Sequence, residues 1–298
     1  MKQYYTYTVA GHTFGLEVPD DISVDEVLAS YLPFFTKVDR DAEPIFILHV
    51  DKNDILPENK IGGRLLYKGD MYPYLWIYRN EKNYIFGFSM TLDVPGCLLF
   101  VSPSFREAKL YIRKLDIYTQ IAFALHSSLM LLYALNTANK KTLIVHAAAV
   151  EFKDRAYMFL GLSGTGKSTH ARLWLKHVKG SELLNDDTPV LRIEEDGTVL
   201  VYGSPWSGKT ACYKNRCVEL GAVVRLSQAP YNQIKAMTQI EAYASLLPSC
   251  SCMKWVRKMA DGVHNSIEQV VARSTSYHLE CLPDKEAALL CAKTVKAI

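Results

Sequence analysis

Gly161-Leu-Ser-Gly-Thr-Gly-Lys-Ser168 fits the pattern G-x-x-x-x-G-K-[ST] at every fixed position, and the reading of the whole chain turns on it. The chemistry behind the pattern is specific. Glycines let the backbone turn tightly enough for successive N–H groups to converge on phosphate oxygens. Lys167 would reach the outer phosphates and the Ser168 hydroxyl would hold Mg²⁺. A helix beginning at the loop adds its positive N-terminal end. Chance alone produces the pattern in roughly 1 in 100 chains of this length at average residue usage, so the flanking sequence has to decide. Ala156 to Leu160 is a short apolar run ending at the first glycine, as a buried strand would. Beyond Ser168, Ala171, Trp174, Leu175 and Val178 recur at helical spacing, with Lys176, His177 and Lys179 near the helix end and Gly180 as its stop. Strand, glycine loop and helix stand in the required order. The phosphate-binding set is Gly161, Ser163, Gly164, Thr165, Gly166, Lys167, Ser168 and Thr169.

A second stretch, Gly203-Ser-Pro-Trp-Ser-Gly-Lys-Thr210, satisfies the same pattern. No helical periodicity follows it, and Pro205 has no N–H to offer a phosphate. It reads as a loop. Lys209, Lys214 and Arg216 make it basic, so either Lys209 and Arg216 contact a substrate or the stretch is a solvated turn.

Acidic partners come from Leu183 to Asp187, an apolar step ending in Asp186 and Asp187. After a phosphate cradle this is where a metal-holding acid belongs. One carboxylate can take Mg²⁺ and the other can serve as general base toward an acceptor hydroxyl. Adjacent acids on a strand face opposite ways, so the two need not share a role. His146, alone in the apolar stretch Thr142 to Val150, could orient an acid or tune its protonation.

His146-Ala-Ala-Ala-Val150, Gly161 to Thr169 and Asn185-Asp-Asp187, in that order, resemble the nucleotide core of the HPr kinase/phosphorylase superfamily. The core is similar to that of ATP-dependent phosphoenolpyruvate carboxykinases. The resemblance covers roughly residues 142 to 290 and implies an α/β fold: a phosphoenolpyruvate carboxykinase-like P-loop core with a mixed sheet, joined here to a β-rich N-terminal domain. It implies ATP, Mg²⁺ and transfer of the γ-phosphoryl group to a hydroxyl. His146, Lys167, Asp186 and Asp187 would form the catalytic cluster, with Ser168 and the two acids at the metal. Proteins of this kind related to HPr kinases act on serine in a protein, peptide or small molecule, and the family tends to oligomerise. The alternatives are a nucleotide-binding regulatory or assembly module without transfer activity, and a carboxykinase-like enzyme.

Working outward, residues 1–106 read as a β-rich domain, 107–141 as a connecting helix and 142–298 as the kinase-like domain. The first hundred residues carry aromatic and β-branched runs bounded by turn residues, with many of the 18 tyrosines. Aromatic cross-strand pairs account for them better than a base-stacking surface. Ser23 or Asp21 is placed to cap a short helix. Leu110, Leu115, Ile121, Leu125, Leu129 and Leu132 set the helical spacing of 107–136. Its longest apolar run, Ile121 to Leu135, is shorter than the ~20 residues a bilayer needs. Asp284 is placed to cap a last helix, Lys285 to Lys296.

Hydrophobic content of 49% and charged content of 22% fit a globular chain with a sizeable core. A net charge of +3 gives nucleic acid or an anionic membrane no electrostatic footprint. The seven cysteines are an odd, scattered set with no ligand spacing, which suggests reduced thiols in a cytoplasmic protein.

Overall fold

The computed structural model describes residues 2–37, 43–51, 61–70, 73–91, 94–113, 118–208, 210–251, 253 and 255–298. It is a mixed α/β chain of two units, Met1–Asn136 and Thr137–Ile298, each built on a large mixed sheet.

The first unit holds strands β1 (Lys2–Val9), β2 (His12–Pro19), β3 (Phe35–Thr36), β4 (Ile47–Asp51), β5 (Arg64–Lys68), β6 (Tyr74–Arg79), β7 (Tyr84–Ser89), β8 (Cys97–Val101) and β9 (Glu107–Ile112), with helices α1 (Val24–Val27) and α2 (Tyr118–Thr137). Their order in the sheet is β3-β1-β2-β4-β9-β8-β7-β6-β5. The β1–β2 hairpin turns at Ala10 and Gly11, both at positive φ (46° and 73°). That geometry suits the right-handed twist of two short-linked strands. Ser23 occupies the N-cap position of α1 without a side-chain cap bond. Aromatics pair inside the unit, as in the stacked Phe14 and Phe46 rings 5.0 Å apart.

The helix expected over 107–136 begins later. Glu107–Ile112 is a strand, because its largely alternating burial completes the sheet between β4 and β8. Leu115 lies outside the described residues. α2 runs up to the boundary between the two units and packs into the first. Leu125, Leu129, Leu132 and Tyr133 are fully buried, and the Tyr133 hydroxyl donates to the Val9 carbonyl at 2.9 Å. At 20 residues it is longer than the apolar run inside it, and by length and composition alone it could cross a membrane.

The second unit holds β10 (Thr142–Ile144), β11 (Ala147–Phe152), β12 (Arg155–Leu160), α3 (Lys167–His177), β13 (Glu182–Asp187), β14 (Val190–Ile193), β15 (Val199–Tyr202), β16 (Cys217–Gln228), β17 (Gln233–Ala236), α4 (Gln239–Leu246), α5 (Arg257–Arg273), β18 (Thr275–Cys281) and α6 (Lys285–Thr294). The sheet runs β10-β14-β15-β16-β12-β11-β13, with β18 also against β16 and β17 on β18. β12 lies between antiparallel β11 and parallel β16, so the strand feeding the glycine loop is central. The β11–β12 hairpin turns on Lys153 and Asp154, again both at positive φ.

The stretch Thr142 to Val150 is two strands and not one. It breaks at Val145 and His146, where β10 leaves to pair with β14 and β11 joins β12 and β13. α3 covers the sheet through Trp174, fully buried against Tyr157 and Phe159 with ring centroids 5.0 and 5.5 Å away. Asp284 caps α6, accepting from the Ala287 N–H at 2.8 Å. The six described cysteines are free thiols, and Cys252 lies outside the described residues.

Candidate functional site

The glycine loop leaves β12 and ends at the first turn of α3. Gly161, Gly164 and Gly166 sit at φ 152°, 83° and 102°, a backbone region side chains rarely adopt. A Cβ on Gly161 would also meet the Thr165 hydroxyl at 2.5 Å and the Leu226 carbonyl at 3.2 Å. The loop is braced internally, since the Thr165 hydroxyl donates to the Leu162 carbonyl at 2.8 Å. Ser163 and Gly164 are exposed at its tip. Gly166 is the N-cap of α3. Lys167, Ser168 and Thr169 thus form its first turn, whose N–H groups have no acceptor within the helix.

Lys167 is buried, and its ammonium donates to the carbonyls of Gly161 (3.0 Å) and Leu162 (3.3 Å). Burial lowers its pKa, while the negative fields of Asp187 and Asp186 act against that shift. The glycine loop and the acidic pair leave the sheet at the same end, since Ala148 pairs with Phe159 on one side and with Asp186 on the other.

Both acids end β13, which pairs with β11 so that Asp186 faces Ala148 and Asp187 faces Ala147 across the ladder. Their surroundings differ. Asp186 is 3% exposed, and its Oδ1 is buried with no hydrogen-bond partner. Such an orphaned acceptor carries a desolvation cost that an absent partner would offset. Asp187 is half exposed. Its Oδ1 lies 3.2 Å from His146 Nδ1, and the Thr188 hydroxyl donates to its Oδ2 at 3.0 Å. Burial works to raise its pKa, but His146, Thr188 and Lys167 outweigh this and hold it below the usual value, so it stays ionised. Asp187 is also a non-glycine residue at φ 137°. Such a conformation costs energy and clusters at functional sites.

Sequence reasoning missed what supports these acids. The stretch with the second pattern match folds onto them. Ser207 Oγ donates to the Asp186 carbonyl at 3.2 Å, and the Gly208 N–H donates to the same oxygen. A Cβ on Gly208 would stand 3.0 Å from that carbonyl and 3.1 Å from Asp187 Cβ, so the second glycine of the pattern permits close approach. Asn185, fully buried, fastens the loop by donating to Ser204 Oγ (3.2 Å) and the Trp206 carbonyl (3.2 Å), while its Oδ1 accepts from the Thr188 N–H at 2.8 Å. The local signal was the pair of serines and glycines at Gly203, Ser204, Ser207 and Gly208, which the pattern disguised. A further neighbour comes from a distant stretch: the His146 N–H donates to the Ser249 carbonyl at 2.7 Å, and Val145 bridges Cys250.

His146 and Asp187 therefore meet, with Asp186 beside them, at the end of the sheet where the loop carrying Lys167 begins. Arg216 does not join them. It pairs with the buried Glu151 and lies 3.5 Å from Asp154. Glu151 faces Glu182 at the opposite end of the β11–β13 ladder from the two acids. Lys209 lies outside the described residues. No trio of His, Cys, Asp or Glu side chains among the described residues could by itself hold a metal ion.

No protein-family model and no curated protein sequence matches the chain. Among solved structures, the HPr(Ser) kinase/phosphatase from Coxiella burnetii is similar at 13% identity and a TM-score of 0.30, over 51% of this chain and 93% of that one. This is a distant likeness.

Proposed function

We propose that the Gly161 loop cradles the phosphates of ATP and that the chain is a Mg²⁺-dependent kinase passing the γ-phosphoryl group to a serine-type hydroxyl of a protein, peptide or small molecule. The reading is carried by one observation: the Gly161 loop, which holds Lys167, and the Asp186–Asp187–His146 group lie at the same end of the sheet. The choice of a serine-type hydroxyl follows the resemblance of the three sequence motifs to HPr-kinase-related proteins.

The residues fit Mg²⁺. The ion takes one or two carboxylates, substrate phosphates and water, so it needs no protein-only cage. The unpartnered Asp186 Oδ1 is one such ligand, with Ser168 Oγ from the first turn of α3 as another. When bound, the ion neutralises charge on the β- and γ-phosphates.

The chain's own groups divide the remaining work. Loop and first-turn N–H groups hold and align the triphosphate. The Lys167 ammonium exchanges its carbonyl partners for the terminal phosphates. Asp187, ionised and open to solvent, accepts the acceptor hydroxyl's proton while the hydroxyl oxygen bonds to γ-phosphorus. The bond from γ-phosphorus to the β–γ bridging oxygen then breaks and ADP leaves. His146 fixes the Asp187 carboxylate and can take up charge as the proton arrives.

The test is calorimetric titration with ATP and Mg²⁺, alongside transfer of labelled γ-phosphate in a cell extract. Lys167→Ala should weaken binding at least a hundredfold. Asp187→Asn should bind within a few-fold of the parent yet transfer nothing. Unchanged affinity in Lys167→Ala would sink the reading, whereas binding without any labelled acceptor would leave only a nucleotide-binding module.

A further inference from the structure

A row of basic side chains crosses the second sheet at the end where the glycine loop leaves. Leu160, the last residue before the loop, lies opposite Arg225 of β16. Arg225 lies opposite His278 of β18, and His278 opposite Lys235 of β17. Residues directly opposed across strands share one face of a sheet. Phe159, Val224 and Leu279 are the neighbours of Leu160, Arg225 and His278 along their strands, and they are buried with Trp174 of α3. Side chains alternate along a strand, so the basic row faces away from α3. On the other side of the loop, Ala148 lies opposite Phe159 and Ala147 opposite Asp187. One rung of the sheet thus runs Asp187, Ala147, Leu160, Arg225, His278, Lys235.

Arg225 and Lys235 are exposed and His278 is half-buried between them. Neither Arg225 nor Lys235 has an ion pair or a side-chain hydrogen bond among the described residues. His278 is held in place, since its Nε2 and the Ser227 hydroxyl share a hydrogen bond of 2.8 Å. Two acids lie near His278, and both are engaged elsewhere. Glu280, two residues along β18, accepts from the Tyr231 hydroxyl at 3.2 Å. Glu241, which feels the field of His278, accepts from the Thr238 N–H and hydroxyl at 2.8 Å each. The two cations are thus left to meet an anion from outside. Small-molecule sites are concave, whereas this row is open and spread over three strands, which suits an extended chain carrying separate carboxylates.

We propose that Arg225 and Lys235 dock an acidic segment of a polypeptide acceptor whose serine reaches Asp187. That the docked segment is the acceptor rests on the kinase reading above; the docking itself does not. Neighbouring strands are about 4.8 Å apart, so Arg225 stands about 14 Å from Asp187 along the rung and Lys235 about 24 Å. An extended chain advances about 3.3 Å per residue. The serine is therefore accompanied, in one chain direction, by acidic residues about four and seven positions away. Arg225 offers its carboxylate a planar fork and Lys235 a point charge.

The test is fluorescence anisotropy of short labelled peptides on the full chain. Each peptide has one serine, with aspartates at those two positions before or after it, or asparagines there instead. The better of the two aspartate peptides should bind about tenfold more tightly than its asparagine match, as two exposed cation–carboxylate contacts allow, and should lose that advantage as salt is raised. Arg225→Gln with Lys235→Gln should bring it down to the asparagine peptide. Arg225→Glu with Lys235→Glu should turn the preference toward lysine-bearing peptides, which a misfolded chain would not do. Equal binding of aspartate and asparagine peptides by the parent overturns the proposal, as does a preference for aspartate that survives either double substitution. A single-stranded oligonucleotide that binds the parent more tightly than any peptide overturns it too. Labelled ATP and Mg²⁺ are then added to the bound peptide. Docking without phosphate on the serine refutes the acceptor role and leaves the docking surface; failure to bind ATP refutes the cradle alone.

Discussion

Replacing Asp187 by glycine and, separately, by alanine separates what its carboxylate contributes from what its backbone costs. Asp187 sits at φ 137°. There a residue with a Cβ stores on the order of 1–3 kcal/mol. Asp187 Cβ is also where Gly208 makes its close approach. The ion pair to His146 offsets little. Both side chains are nearly half exposed, at 47% and 43%. Solvent screening therefore leaves the pair about 0–1 kcal/mol. Alanine loses that pair and keeps the strained backbone, so Asp187→Ala should fall below the parent by about 1 kcal/mol. Glycine loses the same pair but escapes the strain, against a chain-entropy cost of about 0.5–1 kcal/mol. Asp187→Gly should therefore sit near the parent and roughly 1 kcal/mol above Asp187→Ala. Urea denaturation resolves such a gap as a shift in midpoint at constant slope. An alanine variant at least as stable as the glycine variant would refute the claim that strain is held at 187. Both substitutions should abolish phosphoryl transfer, so stability and activity part company at this residue.

Three further outcomes follow from the same geometry. His170 is buried on α3, accepts from the Trp174 indole N–H at 3.2 Å, and has its pKa lowered to about 4 by burial. The unfolded chain thus binds the proton more readily: this contribution is complete above about pH 6.5 and is lost as the pH falls through about 4, by ~3 kcal/mol in all, so His170→Gln should flatten the acid limb of the stability profile. Asn185→Ala should cost about 2–3 kcal/mol, because it strips donors from buried Ser204 and Trp206 acceptors, and should also slow transfer by loosening the loop under the acids; chemical denaturation and steady-state rates report the two effects. Arg216→Ala should cost about 1–3 kcal/mol by leaving the buried Glu151 carboxylate without its cation, yet leave ATP affinity unchanged; a lost affinity in calorimetry would place Arg216 in the site after all.

The sequence by itself determined the unit from Arg155 to His177, the hairpin at Lys153 and Asp154, and the capped start of α6 at Asp284. These depend on neighbours in the chain, through glycines at positive φ, apolar spacing and a side chain reaching its own helix. It also singled out His146, Asp186 and Asp187, which stand at the end of the sheet where the glycine loop leaves. Tertiary structure alone decided how they differ. Asp186 and Asp187 are identical side chains side by side, and only β11, Thr188 and the 203–208 loop leave one buried and unpartnered and the other open and paired to His146. The repeated glycine pattern was legible as a string but not as a support for the acids, because its partners lie several strands away. The strand at Glu107–Ile112 was misread for a like reason: its residues suit a helix as well as a strand, and only β4 and β8 on either side fix it in the sheet.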